Sequence, residues 1–117
     1  MTAAAVPLGE NNWMGWIVDL AHWHGYKVAH FRPARTAHGW RTAGQYDAKG
    51  FPDLVMINPE QGRVLFREIK SDGGRLDDDQ ALWRNWLVSA GADWGLWQPK
   101  DRDDVVATLT DGRWTIP

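Results

Sequence analysis

The sequence predicts an α/β protein with a mixed β-sheet flanked by helices, in the order αβββαβ. Three observations carry this. Apolar residues recur at helical spacing near residue 10 and again near residue 80. Between these stretches lie short runs rich in β-branched and aromatic residues. Two of the runs flank a tight turn, so they form a hairpin rather than separate crossovers.

Taken in order, Trp13, Trp16, Ile17, Leu20 and Trp23 or His24 mark an amphipathic helix from Glu10 to about His24, with Gly25 as its stop. "YKVAHF" (26–31) reads as a strand. Residues 32–50 have no clean period and contain Pro33, Gly39, Gly44 and Gly50, which predicts a long loop, of a length that is usually functional or mobile. "FPDLVMI", the turn "NPEQGR" and "VLFREIK" predict a hairpin over 51–70. Leu76, Gln80, Trp83, Trp86 or Leu87 and Ala90 mark a second helix, with Asp77 or Asp78 as N-cap and Gly91 as stop. "DWGLWQP" is a further strand, "DRDDVVATL" a short final helix, and "GRWTIP" an end piece.

With 117 residues the chain suits one domain, expected over 10–117 behind a flexible tail at 1–9. The absence of cysteine excludes disulfides, cysteine-ligated zinc and a thiol nucleophile. His22 and His24 do not share a helical face and have no matching partner, so a zinc site is rejected. No run approaches a membrane span, and the first twelve residues lack signal-peptide character. A cytoplasmic protein with no membrane partner is expected. The net charge of −2 argues against nucleic-acid binding through bulk charge, though not through a local basic surface. The nine tryptophans read mostly as core and packing residues.

The chemistry gathers in "FREIKSDGG" (66–74). Successive side chains in a strand alternate faces, so Glu68 and Lys70 share one face, about 7 Å apart along the chain. Burying such charges is costly unless they are paired or bind a metal. Asp53 opens the preceding strand just after the stiff Pro52. In an antiparallel hairpin the start of one strand lies beside the end of its partner, so Asp53 should sit level with Glu68 to Lys70. Two carboxylates at one sheet edge suit Mg²⁺ or Mn²⁺ with water completing the shell. Lys70 would then orient a water for attack on phosphorus. The competing view of Glu68 and Lys70 is a surface ion pair.

"GFPDLVMI" followed by "FREIKSDGGRLDDDQALWRNWLVSAG" resembles the VRR-NUC branch of the PD-(D/E)XK nucleases. The resemblance covers roughly residues 44–98 and extends more weakly to the first helix. It implies a restriction-endonuclease-like core and Mg²⁺- or Mn²⁺-dependent hydrolysis of DNA phosphodiesters leaving a 5′-phosphate. It leaves open a branched junction, a flap, a nick or plain duplex as the substrate, and by analogy with junction-resolving members implies a homodimer. Asp53 and Glu68 match its metal-binding acids, Lys70 its catalytic lysine, Gln80 its helix glutamine and Glu10 its first-helix acid. Gln80 reads alternatively as an amide fastening helix to sheet, and Glu10 as an acid favoured by the helix dipole. The loop before Asp53 has no counterpart to carry over. On its own residues, Arg32, Arg35, Arg41 and Lys49 suggest a DNA phosphate clamp, with Trp40 and Tyr46 able to stack on a base. Two other functions compete: a catalytically silent nuclease-fold module for DNA binding or complex assembly, and an interaction domain whose motif is coincidental.

Overall fold

The computed structural model describes residues 9–31, 33–36, 39–42 and 46–111. The expected tail and the "GRWTIP" end piece therefore lie outside the described residues, apart from Gly9. Helix α1 spans Glu10–Trp23, and Gly25 follows it at φ 87°, a left-handed conformation that glycine adopts without a Cβ penalty. The buried line of α1 is Trp13, Met14, Ile17 and Ala21. Trp23, one of the expected apolar positions, is 84% exposed. At 3.6 residues per turn, Trp13, Ile17 and Ala21 keep to one stripe, and Trp23 falls beside it.

Strands follow as β1 (Lys27–His30), β2 (Pro33–Thr36), β3 (Gly39–Thr42), β4 (Leu54–Asn58) and β5 (Arg63–Ile69). Helix α2 (Asp78–Ser89), β6 (Asp93–Trp97) and α3 (Arg102–Asp111) complete the order. A 3-10 turn at Pro99–Asp101 leads into α3. The main sheet runs β1-β4-β5-β6. β1, β4 and β5 are antiparallel, while β6 joins β5 in parallel after the α2 crossover, so the sheet is mixed.

The expected loop at 32–50 contains β2 and β3, an antiparallel pair outside the main sheet with Pro33 opposite Thr42 and Thr36 opposite Gly39. "PART" and "GWRT" show no apolar alternation, which is why the pattern gave no strand there. Pro33 sits at the first position of its strand, where a missing N–H is tolerated.

The main core gathers on one face of the sheet. Trp13, Ile17 and Ala21 of α1, Leu54, Met56, Leu65 and Ile69 of the hairpin, and Val105 and Leu109 of α3 belong to one buried cluster. Each fully buried aliphatic side chain here is worth about 1.5–3 kcal/mol. The opposite face carries Phe66 and Glu68, which alternate with the core residues along β5. Phe51 packs edge-to-face on both Phe66 and Trp83, which brings α2 over this second face.

Arg67 points into the core face, against expectation for a charged residue. Its guanidinium donates to the Asp93 carbonyl and to Asp93 Oδ1, both at 2.8 Å, and lies 4.6 Å over the Trp97 ring. Burial pulls its pKa down and Asp93 opposes the shift. A Cβ on Gly95 would lie 2.9 Å from Arg67 Nε, so glycine leaves the room this side chain occupies between β5 and β6. Among the described residues no helix is long and apolar enough to cross a membrane.

Candidate active site

The hairpin register decides where the acids fall. Leu54 is opposite Arg67, so Asp53, one residue earlier, lies beside Glu68. The backbone N–H of Phe31 donates to the Asp53 carbonyl at 2.8 Å, extending the β1–β4 ladder past Leu54 and fixing the Asp53 backbone. Asp53 Oδ2 in turn accepts the N–H of Ile69 at 2.9 Å. The carboxylate is thus held across the strand ends, as the spacing predicted.

Glu68 is only 2% exposed. Its Oε2 accepts from Gln80 Nε2 at 2.9 Å. Gln80 is itself locked by a capping box at the start of α2. Asp77 Oδ1 accepts the Gln80 N–H at 2.8 Å, and Gln80 Oε1 accepts the Asp77 N–H at 2.9 Å. With its carbonyl occupied by the cap, the amide can only present N–H to Glu68. The sequence identified Gln80 and Asp77 separately; the Asp77-x-x-Gln80 spacing was the available signal of their coupling.

Burial raises the pKa of Glu68 to about 9, with further upward pressure from a hydrogen bond to Asp53 and from the Asp53 charge. The Lys70 ammonium opposes the shift, and Glu10 adds a smaller upward push. Asp53, Glu68, Lys70 and Gln80 therefore converge at one site. Glu10, exposed in the first turn of α1, reaches Glu68 through its charge. Among the described residues no group of three or more His, Cys, Asp or Glu side chains is assembled that could hold a metal ion.

The loop before Asp53 is fastened to α2. Trp83 Nε1 donates to the Asp47 carbonyl at 2.9 Å, and Lys49 pairs with Asp79 at 3.3 Å. Lys49 is 80% exposed, so its ion pair adds little, about 0–1 kcal/mol at most. The tighter constraint is Gly50 at φ 88°, where a Cβ would come within 2.5 Å of the Asp79 backbone. One helix thus positions both acids: Asp79 and Trp83 set the loop that delivers Asp53, and Gln80 holds Glu68.

Of the expected phosphate contacts, Arg32 lies outside the described residues, as do the side chains of Arg35 on β2 and Arg41 on β3. The side chain of Trp40 lies outside them too. Tyr46 is 98% exposed and sits at φ 59°, an uncommon conformation for a residue with a Cβ. The acidic triplet Asp77-Asp78-Asp79 serves the start of α2 through the Asp77 cap and the helix dipole.

A VRR-NUC domain model matches residues 18–100, most of the described chain. The chain belongs to the VRR-NUC family. Its four-stranded mixed sheet with flanking helices is the restriction-endonuclease-like α/β fold of that family within the PD-(D/E)XK nucleases. The VRR-NUC match includes Asp53, Glu68, Lys70 and Gln80 and begins after Glu10. The chain is similar to a Fanconi-associated nuclease 1 homolog of Schizosaccharomyces pombe, 39% identical over 46 residues, covering 39% of this chain and 6% of that protein. Homologs of the same name from Caenorhabditis briggsae and Caenorhabditis elegans are 39% and 40% identical over 62 residues, covering 51% of this chain and 7% of theirs. The VRR-NUC chain thus spans a small fraction of the curated relatives it matches. No solved structure gives a significant match.

Proposed function

We propose that this VRR-NUC domain is a divalent-metal-dependent nuclease that hydrolyses DNA phosphodiester bonds at Asp53, Glu68 and Lys70. The observation that carries this reading is the meeting of two carboxyl groups, one of them 2% exposed, across the open end of a hairpin. Stability alone does not call for such a pair, because a buried carboxyl beside another acid is costly.

The donor set fits Mg²⁺ or Mn²⁺. Asp53 Oδ2 accepts the Ile69 N–H and Glu68 Oε2 the Gln80 amide, and a cation held by the two carboxylates would replace the hydrogen bond that now joins them. Hard oxygen donors, few in number, suit an ion that keeps much of its water. When bound, the ion supplies charge neutralisation and Lewis-acid assistance to the phosphoryl centre. Glu68 would give up its proton to the solvent as the ion enters. Gln80 holds the Glu68 carboxyl through one hydrogen bond, and Lys70 would orient the attacking water or offset charge on the phosphate oxygens. Glu10 is the candidate third acid, acting by charge or through a bridging water.

Arg32, Arg35, Arg41 and Lys49 would clamp the phosphate backbone, and Tyr46, 98% exposed, could stack on an unpaired base. The domain would act selectively on a junction, flap or nick, and as a homodimer by analogy with the family. Incubating the protein with supercoiled plasmid and with a synthetic four-way junction, with Mg²⁺, Mn²⁺ or excess EDTA, tests the proposal. Metal-dependent cleavage abolished by Asp53→Asn is expected. Tight DNA binding without cleavage under every metal condition would favour the silent assembly module instead.

A further inference from the structure

Lys70 leaves β5 with its backbone N–H bonded to the Trp97 carbonyl at 3.1 Å. The chain then turns at once through Ser71–Gly74, where the Gly74 N–H donates to the Ser71 carbonyl at 3.0 Å. Gln98, just past the end of β6, holds this turn from beneath. It is 6% exposed, and its Nε2 donates to the carbonyls of both Ser71 and Gly74, each at 3.0 Å. The Gln98 backbone is fixed in turn by Asp101, whose Oδ2 accepts the Gln98 N–H at 2.8 Å. A second tie joins the Lys100 N–H to Asp72 Oδ1 at 3.1 Å. The turn lies against the lysine itself: a Cβ on Gly74 would stand 3.0 Å from Lys70 Cβ and 3.5 Å from Lys70 Cδ.

We propose that Gln98 is a positioning residue for the reaction, fixing the direction of the Lys70 ammonium through the Ser71–Gly74 bracket. This rests on Lys70 being the lysine of the site. A lysine at a strand end has four rotatable bonds and would sample many directions. A backbone wall along its Cβ and Cδ removes several of them, and Lys70 leaves the strand on the same face as Glu68, which lies two residues before it. Both N–H groups of the Gln98 amide are used on the bracket, so a buried amide is satisfied only while the bracket keeps this shape. The functional consequence is preorganisation: the cation waits where the phosphate charge develops.

Gly74→Ala and Gln98→Met in the full chain test the proposal. Gly74 is outside the left-handed region, so the Ala variant adds only a methyl against the lysine stem and the Ser71 carbonyl. Its melting temperature should stay within a few degrees of wild type. With Mg²⁺ and plasmid DNA, kcat should fall about tenfold while KM changes less than twofold, since a small misplacement near the reacting groups costs rate. In a Lys70→Met background the same Gly74→Ala change should have no effect on the residual rate. Equal losses with and without Lys70, or no loss at all, would show that the bracket is only structural and overturn the proposal. Gln98→Met should behave like Gly74→Ala; if it does not fold, Gly74→Ala decides alone. Should the wild type not cleave DNA, NMR relaxation of the lysine methylenes still decides. Lys70 should be restricted in wild type, unlike the exposed Lys100, and should gain mobility in Gln98→Met, where the bracket loses its support. Wild-type Lys70 as mobile as Lys100 would refute the positioning role whatever the enzyme does.

Discussion

The side-chain amide of Gln80 donates to Oε2 of Glu68 at 2.9 Å while its carbonyl is held by the backbone of Asp77. Helix capping and site geometry therefore meet in one side chain, and they can be separated. Gln80→Glu keeps an oxygen for the capping box but sets a second acceptor against Glu68. Cleavage should fall by about 10²-fold, or ~3 kcal/mol, while melting stability changes by less than ~1 kcal/mol. Gln80→Met loses both functions and should cost about 1 kcal/mol of stability as well. Thermal melts beside a plasmid-nicking assay read the two effects independently; equal stability losses in the two variants would contradict the separation.

Glu68 has its folded pKa raised to about 9 from an ordinary 4.5, so without metal the native state holds a proton that the unfolded chain releases. The stabilisation from this proton is complete below about pH 4.5 and is lost as pH rises toward 9. Metal-free protein should therefore melt at progressively lower temperature across that window, and Glu68→Gln should flatten the dependence. Adding Mg²⁺ should flatten it too, because a cation favours the ionised form. An identical slope in wild type and Glu68→Gln would place the titrating group elsewhere.

Asp53→Asn keeps an oxygen able to accept the Ile69 N–H, so the strand ends should stay joined. What it removes is the ligand charge. Cleavage should drop by orders of magnitude, with DNA binding and melting temperature close to wild type. Gel-shift and cleavage assays on the same preparation check this, and a robust rate in the variant would exclude Asp53 as a ligand.

The Asp53, Glu68 and Lys70 cluster was legible because a two-residue strand period and a short hairpin turn determine which residues meet. The Asp77 cap and the Gly25 and Gly91 stops were legible for the same local reason. The β2–β3 hairpin was not, since a ribbon outside the main sheet needs no apolar face, and its Pro and Gly read as loop residues. Arg67 and Gln98 were also missed. Their partners, Asp93, Ser71 and Gly74, lie 24–27 residues away and are reached only after the parallel crossover brings β6 alongside β5. No local pattern encodes such a meeting.

The basic segment gives a prediction of its own. Arg35 lies across from Trp40, and Arg41 across from Ala34, on adjacent rungs of the β2–β3 pair. If these arginines bind phosphate, replacing both with Ala should weaken DNA binding and lower the salt-dependence slope by about two units. The loss should be equal for all sequences, because backbone contacts do not read bases. Anisotropy titrations at several salt concentrations measure the slope; an unchanged slope would remove these residues from the interface.

The parallel pairing of β5 with β6 also sets the order in which the site can be assembled. Asp53 and Glu68 belong to one hairpin, whose strands meet through a short loop and pair on a timescale of about 1–10 μs in isolation. The supports come later. β6 can dock only after α2 has formed and the intervening chain has closed, a non-local and slower event. The two acids are thus brought together by local contacts, whereas Gln80 and the bracket below Lys70 depend on long-range ones. Substitutions that weaken β5–β6 pairing should therefore slow folding through the crossover, measured by stopped-flow refolding.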